Sequence, residues 1–130
     1  MKVLLCNKLH YPAGDAGSIR QHKLAWMLRE LGHDGFVVGL GPASDFSRQV
    51  YGKISYVSLR QGSVSFSDKA LSQFLYWHRL KKILKRERPD ALMMDDLGTI
   101  TTVCLKRFCK KRRILLIHDS VEWYSAMQFP

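Results

Sequence analysis

Short apolar runs alternate with longer stretches of helical periodicity along this chain. Residues 2–6, Lys-Val-Leu-Leu-Cys, predict a first strand. A polar loop over residues 7–17 leads to a helix that begins near Ser18, where Ser18-Ile-Arg-Gln21 has the spacing of a capping box. Leu24, Leu28 and Leu31 recur at helical spacing and Gly32 ends that helix. Residues 36–40 predict a second strand closed by Gly41-Pro42, and Ile54–Leu59 alternate as a third strand nearer an edge, with a polar connection over residues 61–67. No helix separates the second and third strands, which is the irregular point of the pattern. A long helix follows, with Ala70, Phe74, Trp77, Leu80 and Leu84 on one stripe, and Pro89 breaks it. Residues 91–94 form a fourth strand that delivers Asp95 and Asp96 at its end. Ile100, Val103, Cys104 and Phe108 mark another helix, and Ile114-Leu-Leu-Ile117 reads as a fifth strand covered on both faces. Strands alternating with helices predict an α/β, Rossmann-like doubly wound parallel sheet with right-handed crossovers, in a single domain over residues 1–130.

Composition narrows the class. At 130 residues and 46% hydrophobic content the chain can bury a core without staples, and disorder is excluded as its main state. No apolar run approaches the roughly 18 residues of a membrane span. The apolar start is too short for a signal peptide, since Asn7, Lys8 and His10 follow at once. Three cysteines, Cys6, Cys104 and Cys109, form no disulfide framework and fit a reducing, cytoplasmic setting. The Cys104-x4-Cys109 spacing lacks a second ligand pair, so no zinc site is expected, and Cys104 belongs on an apolar helix face.

The net charge is +10, with six of the 21 cations in residues 79–88 and six more in 106–113. Two basic helix ends suit an anionic partner, and the expected place of the protein is the cytoplasm, peripheral at the inner face of a membrane. The same cations also fit a plainer reading, a solvated face near helix C-termini where the macrodipole favours positive charge.

Three loops carry the candidate chemistry. If the first strand is central with the fourth beside it, the loops after the first, fourth and fifth strands meet at the switch-point crevice, where α/β sheets bind ligands. In the first loop a diphosphate has room against Gly14, Gly17 and Ser18, because glycines permit close backbone approach and a helix start offers free amides. The pattern is neither Gly-x-Gly-x-x-Gly nor a P-loop. Asp95-Asp96 suits a divalent ion or, preferably, one aspartate caps the following helix. His118 is the candidate catalytic residue, a general base or a donor to a hydroxyl, with Asp119 and Glu122 beside it; a purely structural histidine after a strand is the alternative. Trp123 and Tyr124 are either a lid of the crevice, whose aromatic faces suit sugar rings, or ordinary surface-to-core aromatics.

Taken in order, these motifs resemble a known family. Tyr11-Pro12-x-Gly14-x-x-Gly17, Arg20, Leu28-x-x-Leu31-Gly32-His33, the segment Arg88-Pro89-Asp90-Ala91-Leu92-Met93, and the His118-Asp119, Glu122-Trp123-Tyr124 and Phe129 ending look like the N-terminal domain of the GT-B glycosyltransferases of family four. The resemblance covers essentially the whole chain but only the N-terminal half of such an enzyme. It implies the acceptor-binding half of a retaining glycosyltransferase that moves a sugar from a nucleotide-sugar to a glycan or lipid-linked acceptor. It implies no metal and no cofactor beyond the nucleotide-sugar substrate. Gly14 or Gly17 would approach the donor phosphates and His118 the transferred sugar, with Arg20, Asp119, Glu122 and Trp123 on the acceptor side. The donor-binding C-terminal domain is expected to be absent from this chain, which alone would be inactive. Two rivals remain: a non-enzymatic basic α/β module binding nucleic acid or an anionic surface, with aromatics too sparse among the cations for base stacking, and a small cofactor domain, disfavoured by the imperfect glycine pattern.

Overall fold

The central strand of the sheet is built from the most continuously apolar part of the chain's beginning. In a computed structural model, which describes residues 1–12, 14–41, 46–60 and 69–119, this strand is β1 (Lys2–His10). It is followed by α1 (Ala16–Glu30), β2 (Asp34–Leu40), β3 (Gln49–Tyr51), β4 (Ile54–Leu59), α2 (Lys69–Glu87), β5 (Ala91–Met94), α3 (Thr99–Arg112) and β6 (Leu115–His118). The six strands lie in the order β3-β4-β2-β1-β5-β6, and only the β3–β4 pair is antiparallel. The described residues thus form an α/β domain with a Rossmann-like, mostly parallel sheet.

Alternate side chains of the strands feed two cores, as the period of two requires. Leu4, Cys6, Phe36, Val38, Val57 and Leu92 meet Tyr76, Leu80, Ile83 and Leu84 of α2 and Leu105 and Cys109 of α3. Leu5, Val37, Ile54 and Tyr56 form the opposite core with Ala25, Leu24 and Leu28 of α1. Helices on both faces make the sheet doubly wound. Gly35 lets α1 press against β2: a Cβ there would stand 2.7 Å from the backbone oxygen of Ala25.

Several local expectations are corrected. β1 extends to His10, beyond residue 6, because Tyr11 N donates to Leu40 O and the pairing resumes at His10↔Leu40. The irregular crossover is a hairpin: β3 edges the sheet, so β4 is internal. Ser18 is not the N-cap of α1. That role falls to Asp15, whose side chain accepts from Ser18 N at 2.7 Å, and Gln21 is freed from capping. The Gly32 ending holds, with φ +81° and the Gly32 and His33 amides returned to Arg29 O and Leu28 O. Leu31 is the C-cap and is exposed.

On α2 the buried stripe is Tyr76, Leu80, Ile83 and Leu84, while Phe74 and Ala70 face outward. On α3 it is Thr101, Leu105 and Cys109, with Phe108 partly buried and Val103 exposed. On α2 the expected Leu80 and Leu84 are buried and Trp77 packs against the same core, with Tyr76 and Ile83 added, whereas α3 is rotated from its expected face, because each helix packs on the sheet and on the other helix. β6 is an edge strand among the described residues and Leu115 is 58% exposed, which departs from a strand covered on both faces.

At the bottom of the sheet Lys2 Nζ binds Glu87 at 2.5 Å and Arg86 Nε binds its other oxygen at 2.8 Å. Desolvation pushes the Glu87 carboxyl up, but the hydrogen bonds from Lys2 and Arg86 outweigh it and its pKa falls below the ordinary value.

Gly35→Ala should destabilise the fold by about 1–3 kcal/mol, since the added methyl meets helix backbone rather than a movable side chain. Chemical denaturation checks this, and an unchanged midpoint would show that α1 shifts at no cost.

Candidate functional site

The widened end of β1 begins the site. Cys6 pairs with Val38 and His10 with Leu40, so four residues of β1 span two of β2. Asn7, Lys8 and Leu9 fall in this bulge, which re-aims side chains at the strand's end. Asn7 is held on both sides: its side-chain oxygen accepts from Leu9 N at 3.2 Å, and its carbonyl accepts from the Tyr76 hydroxyl at 3.2 Å. Burial pushes the Cys6 thiol up to about 12, and Tyr76, buried beside it, is raised as well, so both stay neutral parts of the scaffold.

The order β2-β1-β5 puts the topological switch between β1 and β5. There the ends of β1, β5 and β6 and the first turns of α1 and α3 line one cleft of about 760 Å³. Of the residues predicted from sequence, Gly17, Arg20, His118 and Asp119 line it, as do Asp95 and Asp96. His118 is exposed, in register with Met94 across the β5–β6 pair, and Asp119 N donates to Met94 O at 2.7 Å.

Gly14 and Ser18 are not among the lining residues. Gly14 is exposed with open space where a side chain would stand, and Ser18 is buried with its hydroxyl on Asp15 O at 2.9 Å. Gly17 has a packing role that is visible directly, since a Cβ there would overlap the Leu9 side chain. Glu122, Trp123, Tyr124 and Phe129 lie outside the described residues.

Arg20 and Asp119 form a two-point ion pair across 99 residues, Nη1 to Oδ2 and Nη2 to Oδ1, the latter at 2.8 Å. The planar fork fixes both partners in orientation. The Arg20 hydrogen bond outweighs desolvation and holds the Asp119 carboxyl below its ordinary range, and the same bond raises Arg20. The pair braces the residue next to His118 against α1.

Asp95 and Asp96 serve the turn before α3. Asp95 Oδ1 accepts from Asp96 N at 2.8 Å, and Asp96 Oδ1 accepts from Gly98 N at 2.9 Å. Neither caps α3. Gly98, at φ +82°, is the N-cap residue, and Gln73 of α2 takes the orphan amide of Ile100 at 2.8 Å. Among the described residues no group of three or more His, Cys, Asp or Glu could hold a metal ion.

Sequence reasoning missed the α3 wall and Gln21. Thr99, Thr102, Val103 and Lys106 line the cleft at helical spacing; a search for apolar stripes reads Val103 as part of a packed face and passes over the three polar residues. Gln21 is 7% exposed, lines the same cleft, and its side-chain oxygen has no hydrogen-bond partner among the described residues. A buried acceptor left unpaired costs about 1–3 kcal/mol, so a donor on a ligand would relieve it.

The fold and cleft define the class: a Rossmann-like α/β domain with an open cleft at the switch point of its sheet. No protein-family model and no curated protein matches the chain. Among solved structures it is similar to sucrose-phosphate synthase from Thermosynechococcus elongatus, with a TM-score of 0.61 and 12% identity over 82% of this chain. The chain spans 30% of that protein's length. It is also similar to the C-terminal domain of a hydrogenase from Pyrococcus furiosus, with a TM-score of 0.62 and 11% identity over 92% of this chain and 90% of that one. At such identities the likeness shows the fold.

The Arg20–Asp119 pair predicts a pH signature. Because the folded Asp119 pKa is depressed, its stabilisation is complete above the unfolded value of about 3.9 and is lost as pH falls through the folded value. A carbon-detected titration should find the Asp119 carboxyl midpoint below the usual aspartate range, and Arg20→Gln should return it upward. Equal midpoints in the two proteins would mean that the pair does not persist in solution.

Proposed function

We propose that this chain is the acceptor-binding domain of a retaining glycosyltransferase, acting on a nucleotide-sugar donor and a glycan or lipid-linked acceptor. The observation that carries this reading is the meeting of three strand ends in one roomy cleft. There Gln21, Arg20, His118, Asp95 and Asp96 offer polar partners to a hydroxyl-rich ligand. The likeness in fold to a protein named sucrose-phosphate synthase supports it. In this reading the donor is bound mainly by a second Rossmann-like domain that these 130 residues do not contain, and this chain alone shows no turnover. No cofactor or metal is required. His118 reaches the transferred sugar or a reacting hydroxyl, Gly17 keeps the start of α1 close to the donor phosphates, and Gly14 and Ser18 shape that loop. Catalysis then rests on orienting two substrates and stabilising the leaving diphosphate.

The deciding experiment is transfer in an enzyme that joins this chain to its donor-binding half. His118→Ala should lower turnover by roughly 10² or more, the scale of a positioned acid–base group, with the melting temperature nearly unchanged. Gln21→Leu should raise the acceptor KM with kcat nearly unchanged. A lower melting temperature with activity per folded molecule preserved would assign His118 to the scaffold and remove it from the site.

The basic helix ends favour a peripheral membrane location for that enzyme. Lys85, Arg88 and Arg112 surround one hollow of about 230 Å³ whose apolar walls include Leu84, Phe108 and Ile114. Both basic clusters therefore reach one surface, at the ends of α2 and α3 remote from the cleft. No helix among the described residues is long and apolar enough to cross a membrane. Liposome co-sedimentation should rise with anionic lipid and fall with salt, each cation contributing at best about 1 kcal/mol. Tighter binding to DNA than to any lipid would favour the nucleic-acid module instead.

A further inference from the structure

Across the bulge of β1 from the cleft lies a second, smaller hollow of about 130 Å³. Lys8, Arg60 and Arg79 line it, with Leu40, Ser72 and Tyr76 between them. The three cations come from the bulge, from the end of β4 and from the middle of α2, so the fold alone gathers them. Among the described residues no carboxylate lines the hollow. Like charges brought together in this way repel unless an anion joins them.

Two of the cations are already held in place. Arg79 Nη1 donates to Arg60 O at 2.6 Å, which fixes the guanidinium and leaves its other donors. The Lys8 ammonium sits 5.2 Å from the centre of the Tyr76 ring, and that ring is anchored by its hydroxyl on Asn7 O. Burial lowers the Lys8 pKa, and Asp96 and Cys6 offset this only in part. The surroundings therefore leave the lysine's charge incompletely compensated. Ser72 adds a neutral polar residue to the lining of the same hollow.

We propose that Lys8, Arg60 and Arg79 form a phosphate-binding site, which takes the phosphate group of a small ligand whose remainder extends over the β1 bulge into the cleft. Three cations suit a phosphate dianion better than a singly charged carboxylate, and arginine forks match its oxygens. This site goes beyond the transferase reading and stands whether or not the cleft transfers a sugar.

The test is a titration of the chain with sodium phosphate at constant ionic strength, followed by amide resonances. Saturable shifts at Lys8, Ser72 and Tyr76 are expected, with none for chloride. Arg60→Gln and Lys8→Gln should each weaken binding about tenfold or more, the scale of one charge-assisted hydrogen bond. Arg60 is exposed, so its variant should keep the wild-type melting curve even if the Lys8 variant does not. Shifts that never saturate, or that centre on Gly17, Gly98 and Thr99, would overturn the site, as would unchanged affinity in Arg60→Gln. A hexose monophosphate should bind more tightly than inorganic phosphate and also shift Asn7 and Asp95. Equal affinity without those shifts would assign the site to free phosphate and overturn the extended ligand.

Discussion

β1 lies between β2 and β5 with apolar side chains covered on both faces, so Val3 to Cys6 cannot slip by one residue without exchanging the two cores. That constraint carries to the strand's far end. With Cys6 fixed opposite Val38 and Met94, the extra residues before His10 must bulge outward, and they bulge where the chain changes direction across the sheet. Asn7 and Leu9 turn to the cleft and Lys8 to the smaller hollow. Both candidate binding regions thus share one piece of backbone.

α2 stabilises that backbone from behind. Its Tyr76 hydroxyl holds the Asn7 carbonyl, and one turn earlier Gln73 caps the start of α3. A single helix therefore positions both walls of the cleft, β1 and α3. The Arg20–Asp119 pair completes the frame by tying α1 to the end of β6. Because that strand is an edge among the described residues, the ion pair supplies an orientation that packing from a further neighbour would supply elsewhere.

Charge is divided between the two ends of the domain. The cleft end mixes Asp95, Asp96 and Asp119 with Arg20 and Lys106, which suits polar recognition with direction. The other end carries the last turns of α2 and α3, where Lys85, Arg86, Lys110, Lys111 and Arg112 also complement the helix dipoles. The dipole accounts for cations near those termini, but not for the partly apolar hollow that Lys85 and Arg112 line together with Arg88.

Local chemistry was enough to read the strand–helix alternation, the turn at Gly32, the break at Pro89 and the placing of His118 and Asp119 at a strand end. Those features depend on periodicity, glycine's positive φ and proline's missing amide, all properties of neighbouring residues. The switch between β1 and β5 was also legible, because the right-handed crossover leaves few strand orders open. What only tertiary structure decided is whatever depends on distant partners. Asp15 rather than Ser18 caps α1, and Gln73 rather than an aspartate caps α3, since competing donors and acceptors are ranked by geometry that spacing does not contain. The bulge in β1 arises from register against β2, and the turning of α3 from its packing on α2 and the sheet. Arg20 meets Asp119, and Lys8 shares one hollow with Arg60 and Arg79, because the fold closes separations of 52 to 99 residues that no local pattern records.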